Sequence, residues 1–260
     1  MKYGFIGCGN MGGAIAKALS RSTKDIMVTD RSGKAKQIAQ DCGIGYGTVE
    51  QIVASCDRIF LGVKPHMMQD VLAPLQEVLR ARKPLLISMA AGLTTEKIDA
   101  FAGGNMRVIR IMPNTPTAIG MGVIQYCTRN VEPEVLSDWL RDMQPCGMVD
   151  PLEERLIDAA SAVSGAGPAY MYVFLEALAD GAVTCGIPRA KAYEYAAMTM
   201  AGAAQMYLAT KQHPGALKDA VCSPGGSTIA GIKALEDHAF RAATMECVIA
   251  AYKRNQELGK

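Results

Sequence analysis

The sequence is poor in groups that bind metals or shuttle electrons through thiols. It has three histidines, His66, His213 and His238, and none stands beside a cysteine at metal-ligand spacing. Its eight cysteines, at positions 8, 42, 56, 127, 146, 185, 222 and 247, include no CxxC pair. No metal is therefore expected, and the thiols read as reduced side chains filling small apolar sites. A disulfide framework is not expected in a chain this long with so regular a core pattern. There is no excess of charge either: 27 basic against 25 acidic residues gives a formal net charge of +2, without a basic block or an acidic tail. Neither a nucleic-acid partner nor a membrane surface finds support in that balance. A run of about 20 apolar residues, the length that spans a bilayer, is also missing. The longest candidate, 156–175, is interrupted by Asp158, Gly165, Gly167 and Pro168. The opening apolar run stops at Gly7 with only Lys2 charged, too short for a secretory signal. The expected location is the cytoplasm.

What is present divides into two halves. With 260 residues, half of them hydrophobic, the chain makes one large domain or two modest ones. Residues 1–150 alternate short β-branched runs with helix-like stretches. Strands are predicted at 3–6, 26–29, 58–63, 85–88 and 108–112, with a late one at 122–126. Helices are predicted at 11–19, 71–79 and 94–100, the last capped by Thr94. Apolar strands alternating with helices imply a mostly parallel, doubly wound α/β sheet covered on both faces. Beyond about Asp150-Pro151 the β-branched runs vanish, and residues 151–260 read as all-helical. Helices are predicted from Pro168 through Gly181, at about 190–209, after the Ser223–Thr228 turn, and at about 239–258. This half is rich in small residues, as in Ala201-Gly202-Ala203-Ala204. Such residues serve either tight intrachain packing or a helical dimer interface.

Gly7-Cys8-Gly9-Asn10-Met11-Gly12 is a GxGxxG fingerprint that follows the first strand and opens the first helix, the context dinucleotide binding requires. Gly7 allows the tight turn, Gly9 lets backbone approach a pyrophosphate, and Gly12 lets helix and strand pack closely. The helix N-terminus adds unpaired N–H groups and positive dipole. Asp30 ends the second strand, 18 residues past Gly12, where an acid grips the ribose hydroxyls of NADH. Arg31 and Ser32 follow at once, and an arginine with a hydroxyl suits the 2′-phosphate of NADPH. The sequence leaves NADH and NADPH both open.

Other chemistry-bearing residues fall at strand ends, where ligands lie in open α/β sheets. Val63-Lys64-Pro65 places a lysine against cofactor ribose or substrate, or in solvent. Met89-Ala90-Ala91 follows the next strand and would line the nicotinamide site. Asn114, held between Pro113 and Pro116, offers an amide that donates and accepts. In the helical half, Ser223-Pro224-Gly225-Gly226-Ser227-Thr228 reads as an anion nest at a helix start, with added hydroxyl donors. The alternative is ordinary capping by Ser223 or Thr228. From Leu156 to Pro188 there is neither histidine nor lysine. A ketone reduction needs a proton donor for the forming alkoxide. A protonated C=N is already an electrophile and yields a neutral amine, so the absence favours imine reduction.

Taken with Phe5-Ile6 before the fingerprint, Val63-Lys64-Pro65-His66, Ser88-Met89-Ala90-Ala91-Gly92 and Met112-Pro113-Asn114-Thr115-Pro116, the chain resembles the pyrroline-5-carboxylate reductases. The more specific stretches are Ser164-Gly165-Ala166-Gly167-Pro168-Ala169-Tyr170 and His213-Pro214-Gly215 followed by Leu217-Lys218-Asp219 and Ser223–Thr228. They occur in family order across nearly the whole chain. The resemblance implies an N-terminal Rossmann domain and a C-terminal helical domain that dimerises, with dimers often assembled into larger rings. It implies reduction of L-1-pyrroline-5-carboxylate to L-proline, the last step of proline biosynthesis, by hydride from NADPH or NADH. Cofactor contacts carry onto Ile6 to Met11, Val63-Lys64 and Met89-Ala90-Ala91. Substrate carboxylate contacts carry onto Ser223, Gly225, Gly226, Ser227 and Thr228. Thr228 is also expected to hydrogen-bond the ring nitrogen as the catalytic residue, and Glu154 to face the substrate. Two departures stand out: Ala166 where the family often has serine, and Lys211 where some relatives carry an acid. A 3-hydroxyacid dehydrogenase would want a lysine on the helix after the glycine-rich turn, and none is there. A non-catalytic nucleotide sensor would have no use for a second anion seat. A six-membered or sulfur-containing cyclic imino acid would differ only in pocket size.

Overall fold

The computed structural model describes residues 2–258. The strands are β1 (Tyr3–Ile6), β2 (Ile26–Thr29), β3 (Gly45–Tyr46), β4 (Arg58–Leu61), β5 (Leu85–Ser88), β6 (Arg107–Met112), β7 (Gly122–Arg129) and β8 (Gly147–Pro151). Helices α1 (Asn10–Leu19), α2 (Lys34–Cys42), α3 (Val49–Ser55), α4 (Met68–Leu72), α5 (Gln76–Arg82), α6 (Thr95–Phe101) and α7 (Pro133–Met143) are interleaved with them. The rest is helical: α8 (Ile157–Ser164), α9 (Gly167–Thr184), α10 (Arg189–Thr210), α11 (Pro214–Ala220), α12 (Ser227–Asp237) and α13 (Phe240–Leu258).

The eight strands form one sheet in the order β3-β2-β1-β4-β5-β6-β7-β8. All pairs are parallel except β6 with β7. Alternation along the strands splits the core in two. Phe5, Phe60, Ile87 and Ile109 pack on one face with Ile15, Leu19 and Trp139. Ile6, Ile59, Leu61, Leu86 and Val108 pack on the other with Ile52, Leu79 and Ile98. Phe5 and Phe60 stack across β1 and β4 with ring centroids 4.4 Å apart. Each such side chain removed from water contributes roughly 1.5–3 kcal/mol.

The helix expected at 71–79 is instead two short helices, α4 and α5, joined by a 3-10 turn at Ala73–Leu75. Pro74 has no N–H to donate back to Asp70 O, which ends the first. Thr94 caps α6 as expected, accepting from Lys97 N–H at 3.2 Å. Strands β3 and β8 carry no run of β-branched residues and were not foreseen from the sequence.

By compactness the chain forms two units, 2–166 with 251–258, and 167–250. The sheet ends at Pro151, where the composition changes. The first unit nevertheless runs on to Ala166, because α8 is tied to the sheet: Arg110 on β6 meets Asp158 at 2.7 Å, and Asn114 donates to Ser164 O at 3.0 Å. In the second unit, α9 and α10 pack through Ala179, Ala192 and Ala196, all buried. The large apolar side chains of these helices point outward: Tyr172, Val173 and Met198 are 63%, 69% and 73% exposed. Among the described residues, no helix is long and apolar enough to cross a membrane.

Candidate active site

The strand order reverses at β1, with β2 on one side and β4 on the other, so the crevice at their carboxyl ends is the topological switch point where such sheets bind ligands. Backbone bonds stitch the loops there: Gly7 N–H to Thr29 O at 2.9 Å and Gly62 N–H to Ile6 O at 2.8 Å. Each fingerprint glycine does a separate task. Gly7 has φ +99°, and a Cβ on it would lie 2.6–2.8 Å from backbone of Gly62 and Val63. A Cβ on Gly12 would lie 2.2 Å from Gly7 O, so α1 can approach β1 only through glycine. Gly9 is the N-cap of α1, in extended backbone and without a side-chain cap, and a Cβ there would meet nothing within 4 Å. The packing of the fold does not need glycine at position 9.

A cavity of about 340 Å³ fills the crevice. Of the expected cofactor residues it is lined by Ile6, Gly7, Cys8, Gly9, Asp30, Arg31, Ser32, Val63 and Lys64. Asn10 lines a neighbouring cavity of about 410 Å³ on the α1–α2 side, with Lys17 and Lys34. Thr29, Val49, Gly62, Met67 and Val71 also line the crevice and were not foreseen. Thr29 and Gly62 were legible as strand-end positions, whereas Met67 and Val71 arrive only through the path of the chain after Pro65. Cys8 is fully buried, and its thiol is pushed up to about 12, first by burial and then by the charge of Asp30. It stays a neutral thiol in the nucleotide loop. Lys64 is exposed, and Pro65 begins the 3-10 turn that follows it. Met89 N–H donates to Leu61 O at 3.3 Å, and its sulfur lies 3.6 Å from where a Gly62 Cβ would stand. The Met89–Ala91 loop is thereby set against the end of β4; Ala90 is buried, and its N–H donates to Ser88 Oγ at 3.3 Å.

The expected cofactor contact at Asn114 is corrected, and Glu154 has partners within the protein. Asn114 is 6% exposed; its Nδ2 donates to Ser164 O at 3.0 Å and its Oδ1 accepts from Val123 N–H at 2.9 Å. A buried amide must be satisfied, and this one is spent clamping β7 and α8 to the end of β6 rather than open to a cofactor. Glu154 is likewise occupied. Its Oε1 accepts from Thr95 N–H at 2.7 Å, its Oε2 from the Thr95 hydroxyl at 3.0 Å, and Arg110 lies 3.6 Å away. It braces the start of α6 and helps neutralise a buried arginine, while its side chain stays 31% exposed.

In the second unit, Gly225 takes φ +67°, Gly226 N–H donates to Ser223 O at 3.0 Å, and α12 begins at Ser227. No side chain caps α12, so the reading of Ser223 or Thr228 as a plain cap does not hold. Neighbouring α11, by contrast, is capped by His213, whose Nδ1 accepts from Gly215 N–H at 3.0 Å. The start of α12 thus presents backbone N–H groups together with the hydroxyls of Ser227 and Thr228. Among the described residues no group of histidine, cysteine, aspartate and glutamate side chains is placed to hold a metal.

A doubly wound sheet with a glycine fingerprint at its switch point is the architecture of a dinucleotide-binding domain, and the class is that of the oxidoreductases: residues 2–92 match the family model described as NADP oxidoreductase, coenzyme F420-dependent. Residues 154–258 match the model for pyrroline-5-carboxylate reductase dimerisation. The chain is 39% identical to the pyrroline-5-carboxylate reductase of Escherichia coli (strain K12) over 266 residues, 100% of this chain and 98% of that one. It is 38% identical to that of Pisum sativum over 261 residues, 98% and 95% of the two chains. The crystal structure of Plasmodium falciparum pyrroline carboxylate reductase with NADP bound superposes with a TM-score of 0.90 at 31% identity, covering 100% of this chain and 98% of that one. This chain belongs to the pyrroline-5-carboxylate reductase family. Its dimerisation segment places it among homo-oligomers.

Proposed function

We propose that the chain reduces L-1-pyrroline-5-carboxylate to L-proline, the closing step of proline biosynthesis, using NADPH or NADH. The observation that carries this is the full-length match to reductases of that name on a fold that keeps both anion seats, the fingerprint turn and the start of α12. The open space over Gly9 and the cavity beneath it fit a dinucleotide. That cofactor, when bound, supplies the hydride. The N–H groups at the start of α1 receive its pyrophosphate, Asp30, Arg31 and Ser32 surround its adenosine ribose, and Val63, Lys64 and Met89–Ala91 flank the remainder. On the second unit, the Ser223–Thr228 turn holds the substrate carboxylate with backbone N–H groups and the Ser227 hydroxyl. Thr228 Oγ1 hydrogen-bonds the ring nitrogen. That contact orients the C=N bond and favours its protonated, electrophilic form. No general acid for an alkoxide is required, consistent with the lack of histidine and lysine from 156 to 188.

We further infer that the homo-oligomer forms through the exposed apolar faces of α9, α10 and α13, and that dimers built this way close into rings. Consumption of reduced nicotinamide on adding pyrroline-5-carboxylate, with proline as product, tests the reaction. Turnover of a six-membered cyclic imino acid in preference to the five-membered one would refute the substrate assignment.

A further inference from the structure

The turn after β2 carries two opposed signals, and the side chains resolve them. Asp30 folds back on its own loop: Oδ2 accepts the Ser32 hydroxyl at 2.7 Å, and Oδ1 accepts Gly33 N–H at 2.9 Å. Gly33, at φ +81°, permits that turn and is the N-cap of α2. Asp30, Arg31 and Ser32 line the crevice cavity together. Arg31 is exposed and, among the described residues, has no ion-pair partner.

A ligand meeting this loop finds acceptors at Asp30, and Arg31 is the one side-chain donor of the turn not already given to that carboxylate. Each Asp30 oxygen keeps a lone pair free after its one bond, which suits the two O–H groups of a ribose diol. A 2′-phosphate needs donors and brings about two negative charges. The single O–H of Ser32 and the N–H of Gly33 are already given to Asp30, and the carboxylate repels the phosphate. Arg31 is the one cation of this turn that faces the cavity. We propose that the loop makes the chain prefer NADH over NADPH, with Asp30 the specificity-determining residue and Arg31 with Ser32 a 2′-phosphate clamp that Asp30 keeps closed. This rests on the dinucleotide site assigned above.

The test compares Asp30→Asn with the native chain by two readouts: kcat/KM with each cofactor, and calorimetric binding of 5′-AMP against adenosine 2′,5′-bisphosphate, which differ only in the 2′-phosphate. The native chain should favour NADH by about tenfold or more, the scale of one charge-assisted hydrogen bond. Asn keeps an acceptor for Gly33 N–H, loses the charge and releases the Ser32 hydroxyl. The NADH:NADPH ratio should fall by about tenfold or more, and the bisphosphate should bind about tenfold tighter. Adding Arg31→Ala should abolish that gain. A native chain that prefers NADPH, or an Asp30→Asn variant that shifts neither readout, overturns the proposal while leaving the dinucleotide site standing. Failure of folded native protein to bind either dinucleotide overturns both.

Discussion

Gly9→Val separates what the nucleotide loop does for the fold from what it does for a ligand. The backbone at Gly9 is extended, φ −67° and ψ −156°, a conformation any residue adopts, and a Cβ there meets no atom within 4 Å. Valine should therefore fold, with a melting temperature within about 2 °C of the native chain, as expected where a surface substitution costs no more than ~0.5 kcal/mol. Its side chain would stand where the pyrophosphate must approach the N–H groups of α1. Two lost charge-assisted hydrogen bonds at ~1.5–3 kcal/mol each total about 3–6 kcal/mol, so NADH affinity should fall at least ~100-fold. Gly12→Ala is the counterpart. Its Cβ would press on Gly7 O at 2.2 Å, forcing α1 off the sheet at an overpacking cost of ~1–3 kcal/mol, or about 2–10 °C in melting temperature. Thermal melts followed by Trp139 fluorescence, from the one tryptophan in the chain and fully buried, and cofactor titration give both numbers. A Gly9→Val protein that binds NADH within threefold of native would refute the assignment of the crevice. One that fails to fold would refute the claim that position 9 is structurally free.

Thr228→Ala should lower kcat/KM for the imine by ~10–100-fold through loss of a charge-assisted contact; native kinetics would remove Thr228 from the reaction. Asp158→Ala strips the nearer partner, at 2.7 Å, from Arg110, whose side chain is 2% exposed. Because Asp158 is itself 27% exposed and Glu154 remains at 3.6 Å, the loss should fall at or below the lower end of the ~3–5 kcal/mol seen for broken buried pairs, at about 2–3 kcal/mol. Urea unfolding checks this, and a change below ~0.5 kcal/mol, typical of plain surface sites, would show the pair to be inconsequential. Alkali should destabilise the protein for a definite reason. Cys8, Cys127 and Cys146 are raised from 9.0 to about 12, chiefly by burial. Their neutral forms favour the folded state, so this contribution is intact below pH 9 and is lost as pH rises toward 12, where only the unfolded chain ionises freely. Melting temperatures that stay flat from pH 8 to about 11 would contradict the burial of these thiols.

Much of this molecule was legible in its residues because the signals are local. Strand β1 followed by Gly7, Gly9 and Gly12 specifies a turn, a close helix and an open backbone within ten residues. The six apolar strands read from the sequence all belong to the sheet, since a buried parallel sheet demands continuous β-branched and aromatic runs. Strands β3 and β8 lacked such runs and form because neighbouring strands offer them hydrogen-bonding edges. The destinations of long polar side chains were not legible. Asn114 and Glu154 have the chemistry of ligand contacts. Only the tertiary structure, by laying α8 and its preceding turn against β6, commits the first to Ser164 and Val123 and the second to Thr95 and Arg110. Asp30 is the same case over a shorter distance. The sequence alone determined that an acid, an arginine and a hydroxyl would stand together at the end of β2. Which of them faces a ligand with free hydrogen-bonding capacity depended on the turn geometry at Gly33, because hydrogen bonds are short-ranged and directional and a composition cannot say where they close.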